Sequence, residues 1–324
     1  MKVAVVGAGQ WGKNHVRVFH KLGALAWVVD KDPVLLEKAR LEYPGIRTSP
    51  DVQEVLADPE VGGVVVATPA KTHFSLAMEA LHSGRDVLVE KPMTLSVTEA
   101  EELVRLAAEK ERVLMVGHLL LYRPSINKLC ELVQSGRIGN VYKVEMRRRK
   151  LGKVRRHENV LWSFGPHDVA VLLAMVHRDV SRVWAVGSSF LQEKIEDETS
   201  MHLSFGDQVK AELHFSWLWP IDERKCIVVG SEGMIIYDEI EDSICIYDKK
   251  VKSDLSVHSG AMEVVRAETA DALEQQNQHF LDCMATRQTP RTSGRQGVDV
   301  VRCLTGAMRN IEREVFCEHG VFCS

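Results

Sequence analysis

The chain of 324 residues is long enough for about two domains, at roughly 100–200 residues each. Its 45% hydrophobic and 27% charged residues exclude a disordered chain, and it has neither a signal-peptide pattern nor an apolar run near the roughly 18 residues that span a bilayer. With 41 Lys and Arg against 45 Asp and Glu, the net charge of -4 speaks against a general nucleic-acid binder.

The first 117 residues alternate short apolar runs with amphipathic stretches. Strands are predicted at Val3–Val6, Ala26–Val29, Gly63–Ala67, Asp86–Val89 and Val113–Val116. Helices are predicted at Lys13–Lys21, Pro33–Leu41, Pro50–Leu56, Thr72–His82 and Ser96–Glu109, the last opening on Ser96 and Glu99 at capping-box spacing. Such Val/Ile/Leu strands between helices predict a doubly wound α/β domain over residues 1–117, its parallel sheet covered on both faces. After Gly117 the rhythm changes. A helix over Ser125–Gln134 and a strand over Val141–Arg149 are followed by a polar loop and a helix near His167–Met175. Successive strands then run from Val180 to Tyr247, with turn signals at Phe205-Gly206-Asp207-Gln208 and Gly230-Ser231-Glu232-Gly233. Helices near Thr269–Arg287 and Arg295–Cys317 close the chain. Residues 118–324 thus read as an α+β domain for substrate binding and oligomerisation on an open antiparallel sheet, with packing of the last helix back toward the first domain as a further expectation. One face of such a sheet is bare, and Val228, Ile236, Ile244 and Ile246 supply apolar residues for it, so a homo-oligomer, dimer or tetramer, is expected. Cys130, Cys226, Cys245, Cys283, Cys303, Cys317 and Cys323 lack metal-type spacing, which predicts reduced thiols, a cytoplasmic location and no bound metal.

Gly7-Ala8-Gly9-Gln10-Trp11-Gly12 directly follows a buried-strand pattern and opens a helix, the context in which GxGxxG means dinucleotide binding. Gly7 allows the tight turn, Gly9 lets backbone N–H groups approach a pyrophosphate, and Gly12 lets helix pack on strand; the helix N-terminus favours the phosphates. Asp30, at the end of the second strand, can accept hydrogen bonds from an adenosine ribose and would repel a 2′-phosphate, favouring NAD over NADP; Lys31 partly offsets that repulsion. Thr68 and Pro69 follow the next parallel strand and are placed to line the cofactor. His73 has two readings, a helix-start residue bonded to backbone or a cofactor contact. In Glu90-Lys91-Pro92, Pro92 predicts a rigid turn, with a cis bond as one form. Lys91 is either a catalytic group polarising a hydroxyl or carbonyl, or half of a surface pair with Glu90.

With these three motifs in this order, the chain resembles the glucose–fructose oxidoreductase / inositol dehydrogenase / MocA (Gfo/Idh/MocA) family of NAD(P)-dependent sugar dehydrogenases. The resemblance implies a Rossmann domain that binds NAD, with Glu90 and Pro92 at the cofactor, and a second domain bearing an open sheet. It also implies that Lys91 lies beside the nicotinamide and the reacting carbon, and that a histidine of the second domain completes the site. That histidine matches His167 in the string Asn159 to Asp168, where imidazole is the natural proton acceptor near neutral pH; taken alone, His167 reads as a helix-start histidine bonded to its surroundings. Many members carry an Asp where this chain has Ser163, which leaves Asp168 or a water to orient His167.

The run Arg147–Arg156 is strongly basic, by default a solvated strand edge. Period two sets Arg147 and Arg149 opposite Arg148 and Lys150. Lys153, Arg155 and Arg156, in the loop leading to His167, can clamp a diphosphate, and Tyr122 and Arg123 are placed at the border of the same pocket. Together with Asn159, Trp162, Ser163 and Asp168, the loop resembles a branch acting on UDP-linked amino sugars. That implies oxidation of the 3-hydroxyl of UDP-N-acetylglucosamine, or of its uronic acid, before a PLP aminotransferase acts, as in amino-sugar biosynthesis for lipopolysaccharide lipid A. The alternatives are a dehydrogenase of a free polyol such as inositol and a non-catalytic NAD-binding regulator.

Overall fold

The computed structural model describes residues 1–317, the last six by backbone alone, so Cys323 and the side chain of Cys317 lie outside the described residues. By contact the chain divides into two units, Met1–Tyr122 with Asp271–Val301, and Arg123–Ala270 with the residues from Arg302 onward.

The first unit alternates strand and helix: β1 (Lys2–Val6), α1 (Gly12–Lys21), β2 (Leu25–Val29), α2 (Pro33–Glu42), β3 (Arg47–Ser49), α3 (Val52–Ala57), β4 (Val61–Val66), α4 (His73–His82), β5 (Asp86–Glu90), α5 (Val97–Glu109) and β6 (Leu114–Gly117). The six strands form one parallel sheet in the order β3-β2-β1-β4-β5-β6. Strand parity sends Ala4, Val64, Val87 and Val116 to one apolar layer and Val3, Val5, Val65 and Leu88 to the other. The order reverses between β1 and β4, the topological switch point at which open α/β sheets bind ligands. The short polar strand β3 has no apolar periodicity and escaped the sequence pattern. Ser96 stands at the N-cap of α5, but its side chain makes no capping hydrogen bond there.

The return to the first unit is wider than the last helix and begins at Asp271. Helix α8 (Ala272–Thr286) packs on α1, and Arg287 just beyond it donates to both oxygens of the buried Asp86, at 2.7 and 2.9 Å.

The second unit holds α6 (Pro124–Gln134), β7 (Val141–Leu151), α7 (Val160–Val176), β8 (Arg182–Ser188), β9 (Glu198–Phe205), β10 (Val209–Ser216), β11 (Leu218–Gly230), β12 (Gly233–Asp238), β13 (Ser243–Val251) and β14 (Val257–Val265). The final helix α9 (Gly294–Cys317) is counted with the first unit up to Val301 and with the second from Arg302. The eight strands form an open sheet in the order β14-β13-β12-β11-β7-β10-β9-β8. It is mixed, because β7 and β10 pair in parallel while its other neighbours are antiparallel. Helix α7 packs on β7, β9 and β10.

Two local expectations need correction. Helix α7 begins at Val160, well before His167, because Asn159 Oδ1 accepts the Trp162 N–H at 3.0 Å and caps it; Pro166 lies inside the helix. On the sheet, Val228, Ile244 and Ile246 are at most 4% exposed and belong to the buried face. The opposite face carries Ile236 in register with Ile227 and Cys245, and Cys245 with Val264. Three of the four residues assigned to the bare face are therefore core, since apolar residues occupy both parities of these strands.

Candidate active site

In the first unit, β1 leads into a turn at Gly7, where φ is 95°. A Cβ on Gly7 would lie 2.7 Å from Ala67 O, and one on Gly12 would overlap Gly7 O. Nothing lies within 4 Å of a Cβ built on Gly9, and that open space is the room a pyrophosphate needs. Ala8 N–H donates to Asp30 Oδ2 at 2.6 Å and Asp32 N–H to Oδ1 at 2.9 Å, leaving each carboxylate oxygen further acceptor capacity for a ribose hydroxyl. Gln10, Trp11 and Lys31 are exposed around this loop. The set fits a bound dinucleotide.

Pro69 is exposed, and Thr68 Oγ1 accepts from Thr72 Oγ1 at 2.7 Å. His73 is buried at the start of α4, with Nε2 at 2.8 Å from Thr68 O and Nδ1 at 2.8 Å from Pro92 O. Both ring nitrogens are thus engaged with main chain, and the histidine ties the loop after β4 to the turn after β5.

The peptide between Lys91 and Pro92 is cis. Glu90 is not half of a surface pair: it is 7% exposed, its Oε1 lies 2.8 Å from His15 Nε2, and its Oε2 accepts the Lys91 N–H at 3.2 Å. His15, fully buried on α1, places Nδ1 at 3.1 Å from Asn277 Oδ1 of α8. Burial alone would raise the Glu90 carboxyl, but the bond and charge of His15 hold it below the usual range. His118, just past β6, is 1% exposed, and neither ring nitrogen has a hydrogen-bond partner among the described residues. Burial pushes its imidazole down to about 4, with Glu90 opposing and Lys91 adding to the shift. No motif pointed to His15, His118 or Asn277. The one available signal was a histidine on the apolar stripe of α1, beside Val16 and Phe19.

Tyr122 is a core residue of this unit, 2% exposed, with its hydroxyl 3.1 Å from Thr292 Oγ1 and the Arg291 guanidinium 5.3 Å from its ring centroid. Burial raises that phenol to about 12.

In the second unit, His167 is half-buried within α7, and the neighbouring Asp168 is buried. Asp168 Oδ1 accepts from Arg148 Nε and Nη2 at 2.9 and 2.7 Å, and Arg148 Nη2 also donates to Glu239 Oε2 at 2.7 Å. Burial pushes the Asp168 carboxyl up against the pull of Arg148, whereas Arg148 overcomes burial to hold Glu239 down. Asp168 is therefore committed to a sheet arginine. Arg123 joins the same cluster through Glu239 at 3.3 Å and Asp242 at 3.2 Å. Arg147 and Arg149, of opposite parity, both reach Glu223 instead.

Asn159, besides capping α7, donates to Glu196 Oε2 at 2.5 Å. Ser163 is buried and Trp162 half-buried. In the basic loop Arg156 is exposed, while Arg155 Nε lies 3.5 Å from Glu158 Oε1. The structure thus gathers Arg123, Arg148 and Asp168 into one ion-pair cluster and leaves Arg155 and Arg156 outside it.

A parallel sheet with this strand order, a glycine turn shaped for pyrophosphate and an acidic end to β2 together define a dinucleotide-binding Rossmann protein. Residues 1–118 match the GFO/IDH/MocA oxidoreductase family, NAD-binding Rossmann fold, and residues 126–236 match the GFO/IDH/MocA C-terminal domain. The chain belongs to this family and is an NAD-binding oxidoreductase. It is 27% identical over 286 residues to UDP-N-acetylglucosamine 3-dehydrogenase of Acidithiobacillus ferrooxidans, covering 88% of this chain and 89% of that one. A solved structure of UDP-N-acetylglucosamine 3-dehydrogenase GnnA from that organism superposes with a TM-score of 0.87 at 25% identity, over 97% of this chain and 98% of that one. GenD2 from gentamicin A biosynthesis, solved in complex with NAD, gives a TM-score of 0.83 at 26% identity, over 97% and 95%. Inositol 2-dehydrogenase of Mycolicibacterium smegmatis is 34% identical over 143 residues, 43% of this chain and 41% of that one. Among the described residues no helix is long and apolar enough to cross a membrane.

Proposed function

We propose that the protein oxidises the 3-hydroxyl of a UDP-linked N-acetylamino sugar, UDP-N-acetylglucosamine, to the 3-keto sugar. The observation that carries this is the extent of the likeness. Similarity to the UDP-N-acetylglucosamine 3-dehydrogenase runs through 88% of the chain and so takes in the sheet unit, whereas similarity to the inositol dehydrogenase covers 43%.

Bound NAD supplies the acceptor for the hydrogen that leaves C3 with its electron pair. His167 takes the hydroxyl proton, while the Lys91 ammonium holds the hydroxyl and stabilises charge developing on its oxygen. Asp30 holds the ribose, and Arg155 and Arg156 take the diphosphate. Tyr122, Arg123, Asn159 and Asp168 make the protein contacts described above, and the proposal gives them no step in the chemistry. A ketone next to the acetamido carbon suits a PLP aminotransferase acting afterwards, and a second copy of the chain covers the sheet face that carries Ile236.

The test is an NAD-reduction screen against sugar nucleotides and free polyols, with a 3-aminotransferase present to remove the ketone. NADH formation is expected with UDP-N-acetylglucosamine, with a KM that rises with salt as the Arg155–Arg156 clamp is screened. Turnover of inositol with a salt-independent KM would favour the polyol alternative, which the 34% identity to inositol 2-dehydrogenase supports. Turnover of the uronic acid alone would move the substrate within the same class.

A further inference from the structure

On the reading of Lys91 as the group that stabilises the substrate oxygen, we propose that His15 is a positioning residue for it: its Nε2–H holds the buried Glu90 carboxylate as an anion, which serves as the counter-charge beside Lys91.

The geometry is a buried chain across three elements. Asn277 of α8 fixes one nitrogen of His15, and the other nitrogen meets Glu90 Oε1 at 2.8 Å. Glu90 Oε2 then accepts the main-chain N–H of Lys91. The carboxylate lies against Gly117, its cross-strand neighbour on β6, where a Cβ would come within 2.6 Å of Oε1. The groups facing Glu90 are His15 and Trp11 from α1, His118 from beyond β6, and Lys91 itself. His118 carries no charge at working pH, because its burial holds the imidazole neutral. Of the groups that keep this carboxylate ionised away from water His15 is the strongest, ahead of the Trp11 side chain and the charge of Lys91. Without His15, burial favours the protonated acid. Lys91 then loses an adjacent negative charge, and its ammonium gives up a proton at lower pH.

The experiment follows Lys91 in the intact protein, with or without a substrate. The rate of its acetylation by acetic anhydride is read by mass spectrometry against pH in the wild type, His15→Ala, His15→Gln and Glu90→Gln. The Lys91 midpoint is expected to fall by about one pH unit in His15→Ala and equally in the near-isosteric Glu90→Gln. His15→Gln keeps an N–H donor near the Nε2 position and is expected to restore the wild-type midpoint. In NAD reduction, the alkaline limb of kcat/KM should move by the same amount. An unchanged Lys91 midpoint in Glu90→Gln, or a shift in His15→Ala that Gln at position 15 fails to reverse, would overturn the proposal. If the midpoint moves as expected but Lys91→Ala turns over normally, the coupling stands and the catalytic assignment of Lys91 fails.

Discussion

Gly9 and Gly12 carry the same side chain for different reasons, and substitution separates them. A Cβ on Gly12 meets a backbone carbonyl, so Gly12→Ala should lose about 3 kcal/mol of stability in urea unfolding. A Cβ on Gly9 meets only open space, so Gly9→Ala should unfold like the wild type yet bind NAD about tenfold or more weakly by calorimetry, the loss of roughly one charge-assisted hydrogen bond. At the proposed proton acceptor, His167→Ala should lower kcat by roughly 10²–10⁴ while leaving NAD affinity near wild type; an unchanged kcat would remove His167 from the mechanism. His118 supplies a pH dependence. Its folded value of about 4 lies below the unfolded 6.5, so the unfolded chain binds the extra proton between those values. The contribution of His118 to stability is fully present above pH 6.5 and should fall by about 3 kcal/mol on the way down to pH 4. Urea unfolding of His118→Gln should lack that part of the decline. The glycine loop was readable because its spacing is local. Glu90 and His15 are 75 residues apart, and only the fold shows that a residue with the look of a surface ion is a buried one.

At the scale of elements, α7 shows how a cap outweighs pattern. The sequence places a polar loop before a helix near His167–Met175, yet the helix starts at Val160 under the Asn159 cap and runs through Gly165 and Pro166. Asn159→Ala should cost about 1–2 kcal/mol in denaturant unfolding, and an unaltered midpoint would mean that Glu196 and Trp162 find other partners. Pattern succeeds where one face of an element is apolar and the other is not, as on β9 and β10, where burial strictly alternates over Met201–Phe205 and Val209–Leu213. It fails on β11 to β13, where Ile227 and Val228, or Ile235 and Ile236, are neighbours in sequence and on opposite faces. No count of hydrophobic residues can tell which of each pair is core. The bare face also bears a quantitative expectation: Ile236→Asp should halve the mass by light scattering if a second copy covers it, and an unchanged mass would place the interface elsewhere.

For the molecule as a whole, the class was legible, and of the partition only the return of the last helix was. The Rossmann pattern is written in consecutive strands and helices, each recognisable alone. The return of Asp271–Val301 to the first unit depends on contacts such as Asn277 with His15 and Arg287 with Asp86, which no local pattern encodes. That return has a consequence for the order in which the chain can be completed. Synthesis proceeds from the N-terminus at roughly 5–20 residues per second, and domains ordinarily close as they emerge. Here the first unit to be made lacks its Asp271–Val301 segment, α8 included, until residue 301 has been added, by which time every strand of the other sheet already exists. The older half must wait for the younger. A fragment ending at Tyr122 would keep the glycine loop and Lys91 but leave His15 and Asp86 facing water, so an NAD-binding fragment should require residues 271–301 to be spliced onto it.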